Sequence, residues 1–360
     1  MCNTSSVIFD IAVVGAGPAA STFARESART GRSIVMIDGQ SVTSDKPCGG
    51  LLAPDAQKLM AGYDFVLPKE VLVDPQIFSV KTIDLASGIV RSYQRYYMNM
   101  DRRRFDDYLL SLIPNKVAHL QTRCRRVSRT HDGTFELETT DGRTVRSRYI
   151  VGADGASSLI RRTFFDAPIL KYIAIQQWFR EIGVGSPYYS CIFDPETSES
   201  CSWIIHKDGY VIFGGCFSRS GGRAAFDRQK ERVESFLGVS FGEAAKTEAC
   251  LAASPRHMSD FVTGEDGVFL IGEAAGFISA SSLEGLSSAM MSGELLAEAF
   301  VHDDPATIAG KYRRACAPLK RKLYRKVLKH KILFTPWMRR FIMKSGIQSI
   351  STKKHPFTAK

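Results

Sequence analysis

Short apolar runs recur along the chain, each closed by glycines or small polar residues, a spacing that predicts strands ending in tight turns. The first, residues 9–14 (FDIAVV), leads into Gly15-Ala16-Gly17-Pro18-Ala19-Ala20 and then into a helix-like stretch over 21–30. A second run, 33–37, ends in Asp38. Strand, turn, helix, strand and terminal acid together make a dinucleotide-binding unit. Gly15 makes the turn, Gly17 lets backbone approach a pyrophosphate, Ala20 keeps helix and strand close, and Asp38 accepts from a ribose hydroxyl. The helix amino end adds partial positive charge toward the phosphates. A unit this near the start of the chain favours FAD as resident cofactor, a position that NAD enzymes share.

The pattern continues with Lys46-Pro47-Cys48-Gly49-Gly50-Leu51-Leu52, a rigid turn around one thiol and a candidate active-site loop. Cys48 reads either as a group touching flavin or substrate, or as a small packed hydrophobe. Residues 77–85 alternate as a strand, and 88–93 is its expected partner. Asp101 is the expected N-cap of a helix through Leu112, opened by Arg102, Arg103 and Arg104. Strands are predicted over 135–139 and 144–151, the second running into Gly152-Ala153-Asp154-Gly155. The aromatic-rich span 171–217 suits a mostly antiparallel sheet. Residues 267–276 repeat the strand-then-turn pattern through Gly272-Glu273-Ala274-Ala275-Gly276, and a helix is predicted over 285–300.

Composition narrows the class. With 360 residues, 44% hydrophobic and 24% charged, the chain can bury a large core, so disorder and fibrous designs are excluded. Eight scattered cysteines without a Cys-x-x-Cys pair point to reduced thiols and to no structural metal. No apolar run has the length of a membrane span, and the first residues lack a secretory pattern, so a cytoplasmic protein is expected. There is no His-Glu-x-x-His, Walker A loop or Gly-x-Ser-x-Gly elbow, and no nucleic-acid-reading module. His206 reads as an ordinary strand residue.

The net charge of +11 is uneven: residues 305–360 hold sixteen Lys or Arg and no Asp or Glu, leaving −5 on the rest. Leu319, Leu323, Val327, Leu328 and Ile332 recur there at helical spacing among basic residues. The segment 311–344 is thus either a basic amphipathic helix on an anionic membrane surface, peripheral on its inner face, or a helix packed on the enzyme body with its lysines in water.

Taken in order, GAGPAA, Asp38, PCGG, DRRRFD, GADGASS, SWIIHKDGY and GEAAG…SLEG resemble the geranylgeranyl-reductase family of FAD-dependent oxidoreductases. The resemblance implies an α/β fold (α+β overall): a Rossmann-like FAD domain of the p-hydroxybenzoate-hydroxylase type, an antiparallel-sheet substrate domain and a helical C-terminus. The FAD domain would comprise 1–74, 99–165 and 263–304, the substrate domain 75–98 and 166–262, and the basic segment 305–360. It implies non-covalent FAD held by Gly15, Ala16, Gly17, Pro18, Ala19, Asp38, Gly49, Arg102, Asp154, Gly155, Glu273 and Gly276. Glu273 stands where the family has an aspartate. The family's Trp-x-Phe-Pro-Lys-like segment corresponds to Trp203-Ile204-Ile205-His206-Lys207, making Trp203 and Lys207 substrate-side candidates.

The activity implied is hydride transfer from reduced flavin to a carbon–carbon double bond of an apolar, isoprenoid-like or lipid-like molecule, with Cys48 or water as proton source and NAD(P)H or ferredoxin as candidate electron donors. A flavin monooxygenase and a non-catalytic, membrane-associated flavin holder are the alternatives. Nothing in the sequence sets the oligomeric state.

Overall fold

A computed structural model describes residues 7–39, 47–180, 186–302 and 304–350; Lys46 and the residues after Ile350 lie outside them. The first apolar run forms the strand Ile8–Val14, with Ile11, Ala12 and Val13 fully buried. It pairs in parallel with Ile34–Ile37 on one side and Thr144–Gly152 on the other. Val268–Leu270 and Ala118–Leu120 extend this parallel core outward. Covered on both faces, such strands are continuous apolar runs, which is why the sequence announces them clearly. An antiparallel hairpin, Cys124–Arg129 and Phe135–Thr139, continues from Thr144–Gly152. The registers bring Val14, Ile37, Gly152 and Leu270 to one carboxyl edge, where open parallel sheets take their ligands.

The helix after the first turn spans Pro18–Ser27, beginning before the predicted 21 because proline lacks the N–H that a first helical turn leaves unpaired anyway. It packs on the helix Leu286–Ala299. A Cβ on Gly293 would overlap the Ala19 carbonyl and sit 3.0 Å from the Phe23 amide, so that glycine sets how closely the two helices approach.

The second sheet runs in the order Lys246–Ala253, Lys171–Arg180, Tyr210–Phe217, Ser202–Lys207, Tyr188–Phe193, Ile77–Asp84, Ile89–Asn99, Leu51–Leu52. All its pairings are antiparallel except that of Tyr188–Phe193 with Ile77–Asp84. The predicted partner strand 88–93 extends to Asn99 past a register shift at Ile77/Ser79, and its end pairs Asn99 with Leu51. That pairing anchors the turn around Cys48. Asp101 caps the helix Arg102–Ser111 as expected, Oδ1 accepting from the Arg104 amide at 2.9 Å.

Among the described residues the basic segment forms three helices, Pro305–Ala315, Ala317–Phe334 and Pro336–Ser345. The expected single apolar stripe is corrected: Leu319, Leu323 and Val327 are buried in the core of the parallel-sheet layer, whereas Leu328 and Ile332 are exposed. Leu328 is turned about 100° from Val327 and so leaves the buried face. Among the described residues no helix is long and apolar enough to cross a membrane.

Candidate active site

At the carboxyl edge of the parallel sheet, the Gly15 amide donates to the Ile37 carbonyl at 2.9 Å and the Ala153 amide to the Val14 carbonyl at 2.8 Å, drawing three strand ends together. Gly15 sits at φ +110°, and a Cβ there would lie 2.5 Å from the Ala153 carbonyl oxygen, so no larger residue fits. Gly17 differs. Its φ of −73° is ordinary, and a Cβ would find no heavy atom within 4 Å. The turn therefore opens onto space at a helix amino end, as a pyrophosphate requires, and Asp38 stands at the end of the second strand.

This space belongs to a cavity of about 840 Å³, lined by both sheets. Gly15, Ala16, Gly17, Pro18, Ala19, Asp38, Cys48, Gly49, Arg102, Asp154, Gly155, Trp203 and Glu273 all line it. Of the residues that the resemblance assigns to cofactor or substrate, Lys207 and Gly276 do not.

Elsewhere in the cavity lining, the Gly50 amide donates to the Cys48 sulfur at 3.4 Å. Arg102 Nη1 approaches the same sulfur at 3.7 Å, and Arg102 Nε donates to Asp106 Oδ1 at 2.9 Å. Burial works against the guanidinium charge, but Asp106 and Cys48 beside it outweigh that and hold its pKa above the usual value. Gly50 is at φ +63°, and a Cβ there would overlap Lys207 Nζ and the Met100 carbonyl. Lys207 thus supports the turn from behind: it is buried and donates to the Met100 carbonyl at 2.6 Å. Burial lowers its pKa to about 8. Trp203 lines the cavity from the second sheet, and its buried indole Nε1 has no hydrogen-bond partner among the described residues.

The third wall follows Gly152. Asp154 Oδ2 accepts from the amides of Leu159 at 2.6 Å and Ile160 at 3.3 Å, while burial pushes its pKa up against those bonds. Glu273 Oε1 accepts from the Ala253 amide at 2.9 Å. The extra methylene relative to aspartate carries this carboxylate across to the second sheet, tying the two layers together. Gly276, at φ +82°, closes the same turn with its amide on the Glu273 carbonyl, and a Cβ would lie 2.6 Å from the Asp260 carbonyl. Its place is structural, behind the cavity wall.

Sequence reasoning missed the far end of the cavity. There Glu284 Oε1 accepts from the Tyr97 hydroxyl at 2.7 Å and from Arg95 at 3.2 Å, and Oε2 accepts from Ser282 at 3.1 Å. The preceding Leu283 has φ +54°, a conformation costly for a branched side chain. Cys191, Cys201, Cys216 and Cys250 also line the cavity. Burial pushes the Cys201 thiol up to about 12 and raises Cys191 and Cys216 well above the ordinary value, so these three present neutral, weakly polar surface. The hydroxyl-rich SASSLEG after the third turn was the available signal for this end.

Residues 10–174 match the family model described as Lycopene cyclase protein. Protein CbrA of Escherichia coli O9:H4 (strain HS) is 44% identical over 353 residues, covering 96% of each chain, and Protein CbrA of Shigella flexneri serotype 5b is likewise 44% identical over 96% of each. The chain belongs to the CbrA family. Among solved structures, this CbrA-family chain is similar to a geranylgeranyl bacteriochlorophyll reductase-like protein from Thermoplasma acidophilum, with a TM-score of 0.78 at 19% identity over 91% of this chain and 88% of that one. It is also similar to PqsL, described as a probable FAD-dependent monooxygenase, from Pseudomonas aeruginosa, with a TM-score of 0.70 at 16% identity over 95% and 100%. The fold of this chain is therefore the one shared with these two structures, mixed α/β of the p-hydroxybenzoate-hydroxylase type.

Proposed function

We propose that the chain holds FAD non-covalently and reduces a carbon–carbon double bond in an apolar, isoprenoid-like or lipid-like substrate. The observation that carries this reading is the continuity of one cavity, from the open space over Gly17 to the thiol- and aromatic-lined sheet around Trp203 and Cys201. Gly15 and Gly17 take the pyrophosphate on bare backbone, and Asp38 accepts from the ribose. When bound, reduced FAD supplies a hydride from its ring. The other residues that line the cavity then have three tasks. Arg102, fixed by Asp106, places positive charge beside the turn. Cys48 sets its Sγ on the cavity wall, as the proposed source of the proton needed to balance hydride addition to an alkene. Ile205, Phe277 and the neutral thiols exclude water from an apolar slot.

Anaerobic photoreduction followed by mixing with polyprenyl substrates tests the reading. Reoxidation of the flavin with formation of the saturated product supports it. Oxygen consumption coupled to an aromatic substrate, with no reoxidation by any polyprenyl compound, would replace it with monooxygenation.

A further inference from the structure

The last two helices carry an apolar face that the core does not use. Leu328, Ile332, Trp337, Phe341 and, just past the last helix, Ile347 are 44%, 41%, 68%, 73% and 68% exposed, while Leu319, Leu323 and Val327 are buried on another side of the helix Ala317–Phe334. The exposed cations Arg325, Lys329, Lys331, Arg340 and Lys344 alternate with them, and no acidic residue occurs from Pro305 to the end of the chain.

This face is held firmly in place. Buried Arg339 donates to Asp84 at 3.0 Å and to the Leu333 carbonyl at 2.9 Å, and Arg91 donates to the Met343 carbonyl at 2.8 Å. It is therefore a presented surface rather than a loose tail. It also adjoins the cavity: Lys322 pairs at 3.0 Å with Asp55, a lining residue, and Lys329 lies close enough to Glu284 and Arg95 to feel both charges.

We propose that this face docks the protein on an anionic lipid bilayer. Apolar and indole groups would enter the headgroup boundary while the surrounding Lys and Arg meet lipid phosphates. Indole is favoured at that depth because its ring is apolar and its N–H polar. An acidic protein partner would meet the same cations, but the mixture of bulky apolar groups with cations, on a segment that carries no carboxylate of its own, matches a continuous anionic surface better than a patterned one. The surface stands independently of the flavin reading and, beside the cavity, gives a lipid-like substrate a short route.

The test is flotation of the full chain with vesicles of phosphatidylcholine alone or of equal phosphatidylcholine and phosphatidylglycerol. The chain is compared with Trp337→Glu/Phe341→Glu and with Arg340→Ser/Lys344→Ser, each checked for unchanged circular dichroism, unfolding midpoint and flavin uptake. The expected result is a preference of at least about tenfold for the anionic vesicles, lost in the first variant and reduced in the second. Equal partitioning into both vesicles, unaltered binding by both variants, or a stable dimer that the Trp337→Glu/Phe341→Glu chain cannot form would overturn the proposal. Flavin uptake, read in the same samples, keeps its failure separate from failure of the cofactor assignment.

Discussion

Arg102 reaches the Cys48 sulfur with Nη1 at 3.7 Å while Asp106 holds its Nε at 2.9 Å. One residue is thereby fixed by a neighbouring turn of its own helix, and the other by a glycine turn that Asn99 and Lys207 anchor to the second sheet. The two differ in what they should do. Arg102→Met removes a buried cation and leaves Asp106 unpaired, so flavin retention should weaken by roughly tenfold or more, in line with the loss of a charge-assisted bond. Cys48→Ala should keep flavin affinity within about twofold and slow reoxidation by the alkene substrate by at least about tenfold. Equilibrium titration and anaerobic stopped-flow absorbance separate the two effects.

His330 supplies a pH dependence. It is buried and stacked on Phe334 with ring centres 4.3 Å apart, and burial lowers its pKa from 6.5 to about 4. Between those values the unfolded chain binds more protons than the folded one, so stability is full above pH 6.5 and falls as the pH drops toward 4. The whole loss is about 3 kcal/mol. His330→Phe should flatten that part of the profile, measured as urea midpoints across the range.

Arg339 and Asp84 form a buried ion pair at 3.0 Å linking the last helix to the second sheet. Arg339→Met would strand the carboxylate of Asp84, with the Ser87 hydroxyl as its remaining bond at 2.7 Å. The expected loss is about 3–5 kcal/mol in chemical denaturation. Replacing the exposed neighbour Arg340 by Ser should shift stability by less than about 0.5 kcal/mol.

The opening unit was legible because its strands are buried on both faces and its turn demands Gly15 at positive φ. The turn at Gly152–Gly155 could be found for the same reason. Other parts carried little local signal. The helix Gly222–Leu237 buries chiefly Ala225, Phe226, Gln229 and Val233 in an otherwise charged stretch, a pattern too sparse to announce itself. Tyr97 and Glu284 are 187 residues apart and meet only through the packing of the two layers. Lys207 matched a family segment, yet its register puts the ammonium on the Met100 carbonyl behind the cavity rather than inside it. Motif position alone does not say which side of a wall a side chain takes.

FAD titration of the wild-type chain and of Gly17→Val tests the central claim most directly. Because a Cβ at this position meets no protein atom within 4 Å, the variant should fold with unchanged circular dichroism and lose no more than about 1 kcal/mol of flavin-free stability. The wild type should bind one FAD per chain, and the variant should bind at least about a hundredfold more weakly, its new methyl groups occupying the pyrophosphate's place. A folded wild-type chain that takes up no flavin in excess FAD, or a variant that binds as tightly as wild type, would contradict the account.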